Sequence, residues 1–174
     1  MELLARIPKD RIAVLIGKGG RTRKLLEKSS GASLEIDSAT GDVSAIWDQE
    51  ELDPIVKMKM PDVIRAIGRG LAPNRAVKLL DDDVFLRMYD IREWVGRQPN
   101  QTRRMRSRLI GRKGRIRSLI EEISRTEMAI YGSTVLVIGD EDGLALATPA
   151  IENILNGAEH GTVLHGLEQD RKRM

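Results

Sequence analysis

The chain repeats itself. VLIGKGGRTRKLLE at residues 14–27 aligns without gaps on RLIGRKGRIRSLIE at residues 108–121, an offset of 94 positions from Gly17 to Gly111. Leu15, Ile16, Gly17, Gly20, Arg21, Arg23, Leu25 and Glu27 recur as Leu109, Ile110, Gly111, Gly114, Arg115, Arg117, Leu119 and Glu121. The same offset carries Ile36 onto Ile130. Self-similarity at a fixed offset restricts the fold to copies of one unit. The 174 residues leave room for two small domains.

Each copy reads in the same order. In the first, LLARIP is a strand ended by Pro8, a short helix follows from Asp10 or Arg11, and Gly17 stops it. A second helix runs from near Gly20 to Ser30, with Gly31 as its terminator. SLEID and VSAIW are strands joined by the turn-forming SATGD. Pro61 suits the first position of a helix through DVIRAIGRGL, and PNRAVKLLDDD forms one more, ended by its acidic run. In the second copy RMYDIREWV is the first strand and TRRMRSRLI the short helix. In RIRSLIEEIS, Ile116, Leu119, Ile120 and Ile123 share one helical face. EMAIY and TVLVIG are separated only by Gly132 and Ser133, a glycine-first loop that suits a type II′ hairpin. A final helix lies between Asp142 and Asn156, with Pro149 either kinking it or starting it. The expected fold is therefore α+β: two tandem strand-helix-helix-strand-strand-helix units, each a three-stranded sheet with helices on one face. Their expected bounds are residues 1–80, including a C-terminal helical extension, and 85–168.

The absence of cysteine excludes disulfide frameworks, thiolate nucleophiles, zinc ribbons and iron-sulfur clusters, and fits a reducing, cytosolic setting. There is no apolar run of the roughly 20 residues that span a bilayer, and MELLARIPKD lacks the apolar stretch of a signal peptide, so the expectation is a soluble, non-secreted protein. A charged fraction of 32% mildly suggests a heat-adapted source. The formal net charge is only +3, so any basic patch is local.

Such patches surround the glycine loops. Lys9 to Lys28 holds seven basic residues and two acids; Arg103 to Arg117 holds eight basic residues and no acid. Most charge runs are solvated faces, but those mix signs so that i,i+4 pairs form, and this one does not. Gly17-Lys18-Gly19-Gly20 and Gly111-Arg112-Lys113-Gly114 each sit between two helices, where the N–H groups and dipole of the second helix favour an anion. Neither loop has the spacing of a mononucleotide P-loop or the topology of a dinucleotide fold. A helix, G-x-x-G, helix arrangement is the signature of the KH module, of type I in this element order, whose loop clamps about four nucleotides. The candidate RNA contacts are Gly17, Lys18, Gly19, Gly20, Arg21, Arg23 and Lys24, with Arg104, Arg108, Gly111, Arg112, Lys113, Gly114, Arg115 and Arg117. The second loop is expected to be the stronger. Candidate groove residues are Leu15, Ile16 and Ile36 in the first copy and Leu109, Ile110 and Ile130 in the second. Five aromatic residues in all argue against modules that stack bases on exposed rings.

Catalytic chemistry has little support. Asp81, Asp82 and Asp83 point in different directions if the chain is regular, so they read as a terminator or linker and not as a metal cage. His160 and His165 read as surface-loop histidines. The expectation is a binding protein with no catalytic residue, metal or cofactor.

IPKDRIAVLIGKGG, GASLEID, VIRAIGRGLAPNRAVKLLDDD, RLIGRKGRIRSLIEE, IYGSTVLVIGD and HGTVL resemble the archaeal two-KH ribosome-assembly and rRNA-processing proteins, relatives of the eukaryotic Dim/Krr/partner-of-Nob group. The resemblance implies two KH domains packed side by side in an archaeal, cytoplasmic protein. It also implies binding of 16S rRNA or its precursor near the 3′ end during small-subunit maturation, with assembly proteins such as a Nob-type endonuclease as partners. The alternatives are a general KH regulator of mRNA or translation, a protein-binding scaffold, and an RNA-processing enzyme using Asp81 to Asp83.

Overall fold

The computed structural model describes residues 1–48, 50 and 52–174. The chain divides into two compact units, Met1–Val84 and Phe85–Met174. Among the described residues no helix is long and apolar enough to cross a membrane.

The first unit runs β1 (Glu2–Arg6), α1 (Ile12–Ile16), α2 (Arg21–Ser30), β2 (Ala32–Ile36), β3 (Asp42–Trp47), α3 (Pro54–Gly68) and α4 (Pro73–Ala76). Its antiparallel sheet has the order β1-β3-β2. Alternation along the strands turns Leu4, Leu34, Val43 and Ala45 inward, against Leu15, Leu26, Val63, Ile64 and Ile67 from the helices. The second unit runs β4 (Phe85–Asp90), α5 (Arg92–Val95), α6 (Pro99–Ile110), α7 (Arg115–Ser124), β5 (Glu127–Tyr131), β6 (Thr134–Gly139), α8 (Glu141–Leu155) and α9 (His160–Lys172). Its sheet repeats the order as β4-β6-β5. Its core gathers Ile91, Leu109, Ile120, Met128, Val135, Val137 and Ile151, extended by Val163 and Leu167 of α9. The expected α+β pair of β-α-α-β-β-α units is what forms. The β5–β6 hairpin turns through Gly132 at φ 56°, while Ser133 stays at negative φ, as a type II′ turn requires.

Several local readings need correction. Pro61 does not start a helix: α3 begins at Pro54, capped by the Asp53 carboxylate, which accepts from the Ile55 N–H at 2.9 Å, and Pro61 lies inside it. Of the two places left open for Pro149 the interior is the one it takes: it lies inside α8, whose N-cap Asp140 accepts from the Gly143 N–H at 2.7 Å. In both cases a strong cap upstream sets the start, and packing of the apolar face carries the helix through the missing N–H. RMYDIREWV is a strand only to Asp90. There the Asp90 carboxylate accepts from the Arg92 N–H at 2.9 Å and from its guanidinium, which holds the carboxyl below the usual range and turns the chain into α5. The helix expected from Thr102 begins three residues earlier, at Pro99. PNRAVKLLDDD splits into α4 and a 3-10 turn over Val77–Leu80. Neither histidine lies in a loop: His160 and His165 are on α9.

Candidate nucleic-acid interface

The two glycine loops have the same backbone. Gly17 lies at φ 75°, ψ 172° and Gly111 at 76°, 174°. The third positions, Gly19 (61°, 21°) and Lys113 (57°, 27°), are left-handed, as are the last, Gly20 (77°, 14°) and Gly114 (74°, 13°). The preceding helix ends at the first glycine, whose N–H donates to Ala13 O at 2.9 Å or Ser107 O at 2.8 Å. The chain closes through Gly20 N–H to Gly17 O (3.1 Å) and Gly114 N–H to Gly111 O (3.2 Å).

The glycines are needed for different reasons. A Cβ on Gly17 would lie 2.3 Å from Thr22 Oγ1, and one on Gly111 would lie 2.3 Å from Ile116 Cγ1, so the first glycine lets the next helix close up. A Cβ on Gly20 or Gly114 would meet nothing within 4 Å. The outer side of each loop is open to whatever approaches it. Neither α2 nor α7 has a side-chain cap, so their first-turn N–H groups and positive dipole ends meet that open side.

Not every cation in the runs serves this surface. Arg108 is turned inward: Nη1 donates to Ile154 O at 3.1 Å and Nη2 to Ala158 O, at the C-terminal end of α8. Its own carbonyl meets His160 Nε2 at 2.8 Å. In the first unit Arg11 does the equivalent, with Nε to Ile67 O at 2.9 Å and Nη2 to Leu71 O at 3.3 Å, past the end of α3. Arg106 donates to Gly132 O at 2.9 Å, tying α6 to the hairpin tip. Arg23 donates to Leu34 O at 2.6 Å and stands 3.8 Å from Glu27, whose other oxygen accepts from Leu34 N–H at 2.8 Å. Arg117 and Glu121 (3.5 Å), with Glu121 accepting from Met128 N–H at 3.0 Å, repeat the ion pair and the glutamate-to-strand bond. Arg108, read as an RNA contact, thus belongs first to the framework, held by two backbone carbonyls, while Arg23 and Arg117 are each drawn to an i+4 glutamate and keep 43% and 39% of their side chains exposed. Lys18, Arg21 and Lys24 around the first loop, and Arg103, Arg104, Arg112, Lys113 and Arg115 around the second, remain exposed.

The groove residues divide in the same way. Leu15 and Leu109 are 0% exposed and belong to the core, because each helix ending at a loop packs its inner face on the sheet. Ile16, Ile36, Ile110 and Ile130 are half-exposed, on the helix ends and outer strands that flank the loops. Sequence reading missed Arg11, His160 and the Arg-Glu-strand clamps. The clamps had a signal, since Arg23 with Glu27 and Arg117 with Glu121 are i,i+4 pairs at the repeat offset. Asp81, Asp82 and Asp83 bring carboxylate oxygens within 4.8 Å of one another, closer than a regular chain allows, because Val84 N–H turns back to Asp81 O at 3.2 Å. All three are exposed, and the buried Lys59 amine binds the Asp81 and Val84 carbonyls beneath them.

Residues 85–172 match the family model described as eukaryotic type KH-domain (KH-domain type I), and residues 3–52 match the KH domain model. The chain belongs to the type I KH family. This KH protein is 38% identical to a KH domain-containing protein of Methanocaldococcus jannaschii over 171 residues, which is 98% of this chain and 74% of that protein. It is 29% identical to the pre-rRNA-processing protein pno1 of Aspergillus fumigatus over 118 residues, 67% of this chain and 47% of that longer protein. Among solved structures, a chain in the crystal structure of the a/eIF2alpha–aDim2p–rRNA complex from Pyrococcus horikoshii OT3 superposes with a TM-score of 0.90 at 41% identity, covering 98% of this chain and 93% of that one. Dim2p alone from the same organism gives 0.87 at 42% identity, covering 95% and 96%. The archaeal two-KH resemblance read from the sequence stands.

Proposed function

We propose that this two-KH protein binds single-stranded RNA as a small-subunit assembly factor, gripping 16S rRNA or its precursor near the 3′ end. The observation that carries it is the pair of superposable glycine loops, each with an open outer side, an uncapped helix N-terminus behind it and exposed cations around it. That its matches include a chain of an rRNA complex and a pre-rRNA-processing protein supports the ribosomal setting. The contacts are Lys18, Gly19, Gly20, Arg21 and Lys24 in the unit over residues 1–80, and Arg104, Arg112, Lys113, Gly114 and Arg115 in the unit over 85–168, the second site being the stronger. Binding without catalysis, in the cytoplasm and beside a Nob-type endonuclease, completes the reading.

The test compares a labelled strand matching the 16S rRNA 3′ end with an unrelated strand across a salt series. About four phosphate contacts predict a log–log salt slope near −3 and preference for the rRNA strand. Arg112→Asp with Lys113→Asp should abolish binding with the fold intact, by repulsion in place of attraction. Equal, weak binding to both strands, or unchanged affinity in the folded double variant, rejects the proposal.

A further inference from the structure

The two units differ in how they lead into their loops. From the end of its first strand to its first loop glycine the first unit takes 11 positions, Arg6 to Gly17, and the second takes 21, Asp90 to Gly111. The extra residues supply α5 and lengthen the helix before the loop, so that α6 has 12 residues where α1 has 5.

Packing fixes how α6 is rotated. Thr102, Met105 and Leu109 are buried, and the opposite face carries Asn100, Arg103, Arg104 and Ser107, all exposed. These positions are spaced three and four apart, and the next in the series is Gly111, so the stripe runs into the loop. At 1.5 Å per residue it is about 16 Å long. Each of its side chains is a cation or a hydrogen-bonding polar group, and none is apolar or aromatic. Arg106 and Arg108 are tied to backbone carbonyls, whereas Arg103 and Arg104 are paired with no carboxylate among the described residues. From residue 94 to residue 120 the sequence has no acid at all, so nothing in this stretch offsets their charge. Unbalanced like charges favour a polyanion. A protein docked on this face would find no apolar anchor, while a phosphate chain meets a donor at every turn.

We infer that the RNA strand gripped by the second loop continues along the outer face of α6, which holds the flanking nucleotides by their backbone and lengthens the footprint of this unit beyond four nucleotides. The inference rests on the reading of the loop as an RNA grip. Arg103 and Arg104 bind phosphates, and Asn100 and Ser107 bond phosphate oxygens or sugar hydroxyls. With no ring to stack a base against, the contact tolerates any flanking sequence. The first unit has no counterpart: a 3-10 turn over Lys9–Arg11 precedes α1, and Arg11 is bound to the Ile67 and Leu71 carbonyls.

The test uses the full chain with Lys18→Asp and Arg21→Asp, which confine binding to the second loop. Four-nucleotide strands tiled across the 16S rRNA 3′ end are compared, and the tightest is extended by four uridines on its 5′ or its 3′ side. One of the two extensions should raise affinity about tenfold and steepen the log–log salt slope by about 1.4, for two more phosphates. Four adenosines on that side should do the same. Arg103→Glu with Arg104→Glu, at unchanged circular dichroism, should erase the difference between long and short strands. Arg171→Glu with Lys172→Glu, an equal change of charge on exposed residues of the last turn of α9, should preserve it. A gain from neither extension, equally from both, or from uridines alone overturns the inference and leaves the loop grip standing. So does a gain that survives Arg103→Glu with Arg104→Glu. Failure of every strand to bind removes the loop grip and the inference together.

Discussion

Lys113 holds a backbone conformation that its counterpart Gly19 reaches without strain. A side chain at φ 57° costs about 1–2 kcal/mol. The second unit accepts that cost and gains a cation at the crest of its loop. Lys113→Gly should therefore raise the stability of the chain by about 0.5–1 kcal/mol, the relief being partly offset by glycine's greater freedom in the unfolded state. The same variant should weaken RNA binding and make the salt slope shallower by about 0.7, one phosphate contact fewer. Denaturant unfolding and a salt titration on one preparation check both. A loss of stability would mean that the lysine side chain has a structural role the loop geometry does not reveal. The glycines separate in a similar way. Gly17→Ala should cost several kcal/mol because its Cβ would strike Thr22, whereas Gly20→Ala should cost about 1 kcal/mol, from φ alone.

Within the elements, the basic run on α6 divides into inward and outward side chains. Arg108→Ala should lower stability by about 2 kcal/mol, because it strips the Ile154 and Ala158 carbonyls of a charged donor. Arg104→Ala should change stability by less than about 0.5 kcal/mol and make the salt slope shallower by about 0.7. Thermal melts beside the salt titration distinguish the two, and equal effects would undo the division. This is also where legibility in the sequence stops. Apolar periodicity and glycine punctuation are local signals, and they gave α2, α7, both hairpins and both loops. What Arg108 or Arg23 bonds to depends on carbonyls 46 to 50 or 11 positions away, and periodicity carries no such information. Pro61 misled, and Pro149 left the start of α8 undecided, for the related reason that a cap at Asp53 or Asp140 and a buried face outweigh one missing hydrogen bond. His160 and His165 read as loop residues by default, whereas α9 is held by Val163 and Leu167 packing into the core.

For the whole molecule, the two units follow one another directly, Val84 closing the first and Phe85 opening the second. If both loops grip RNA as proposed, the second contact is intramolecular once the first has formed. A strand carrying two four-nucleotide sites on a flexible spacer should therefore bind at least about tenfold more tightly than one carrying a single site. The gain should vanish on changing Lys18 and Arg21 to Asp, and affinity measured on both strands for both proteins decides it. A gain that survives this change would assign both contacts to the second unit. The arginines at the helix ends bear on descent. Arg11 reaches Ile67 and Leu71, and Arg108 reaches Ile154 and Ala158, so the carbonyl pairs match from copy to copy while the guanidiniums do not fall at the repeat offset. What persists between the duplicates is the demand made by a helix end, not an inherited column of sequence. Either copy can lose its arginine through drift without harm, provided a cation first arises on a neighbouring turn that reaches the same two oxygens.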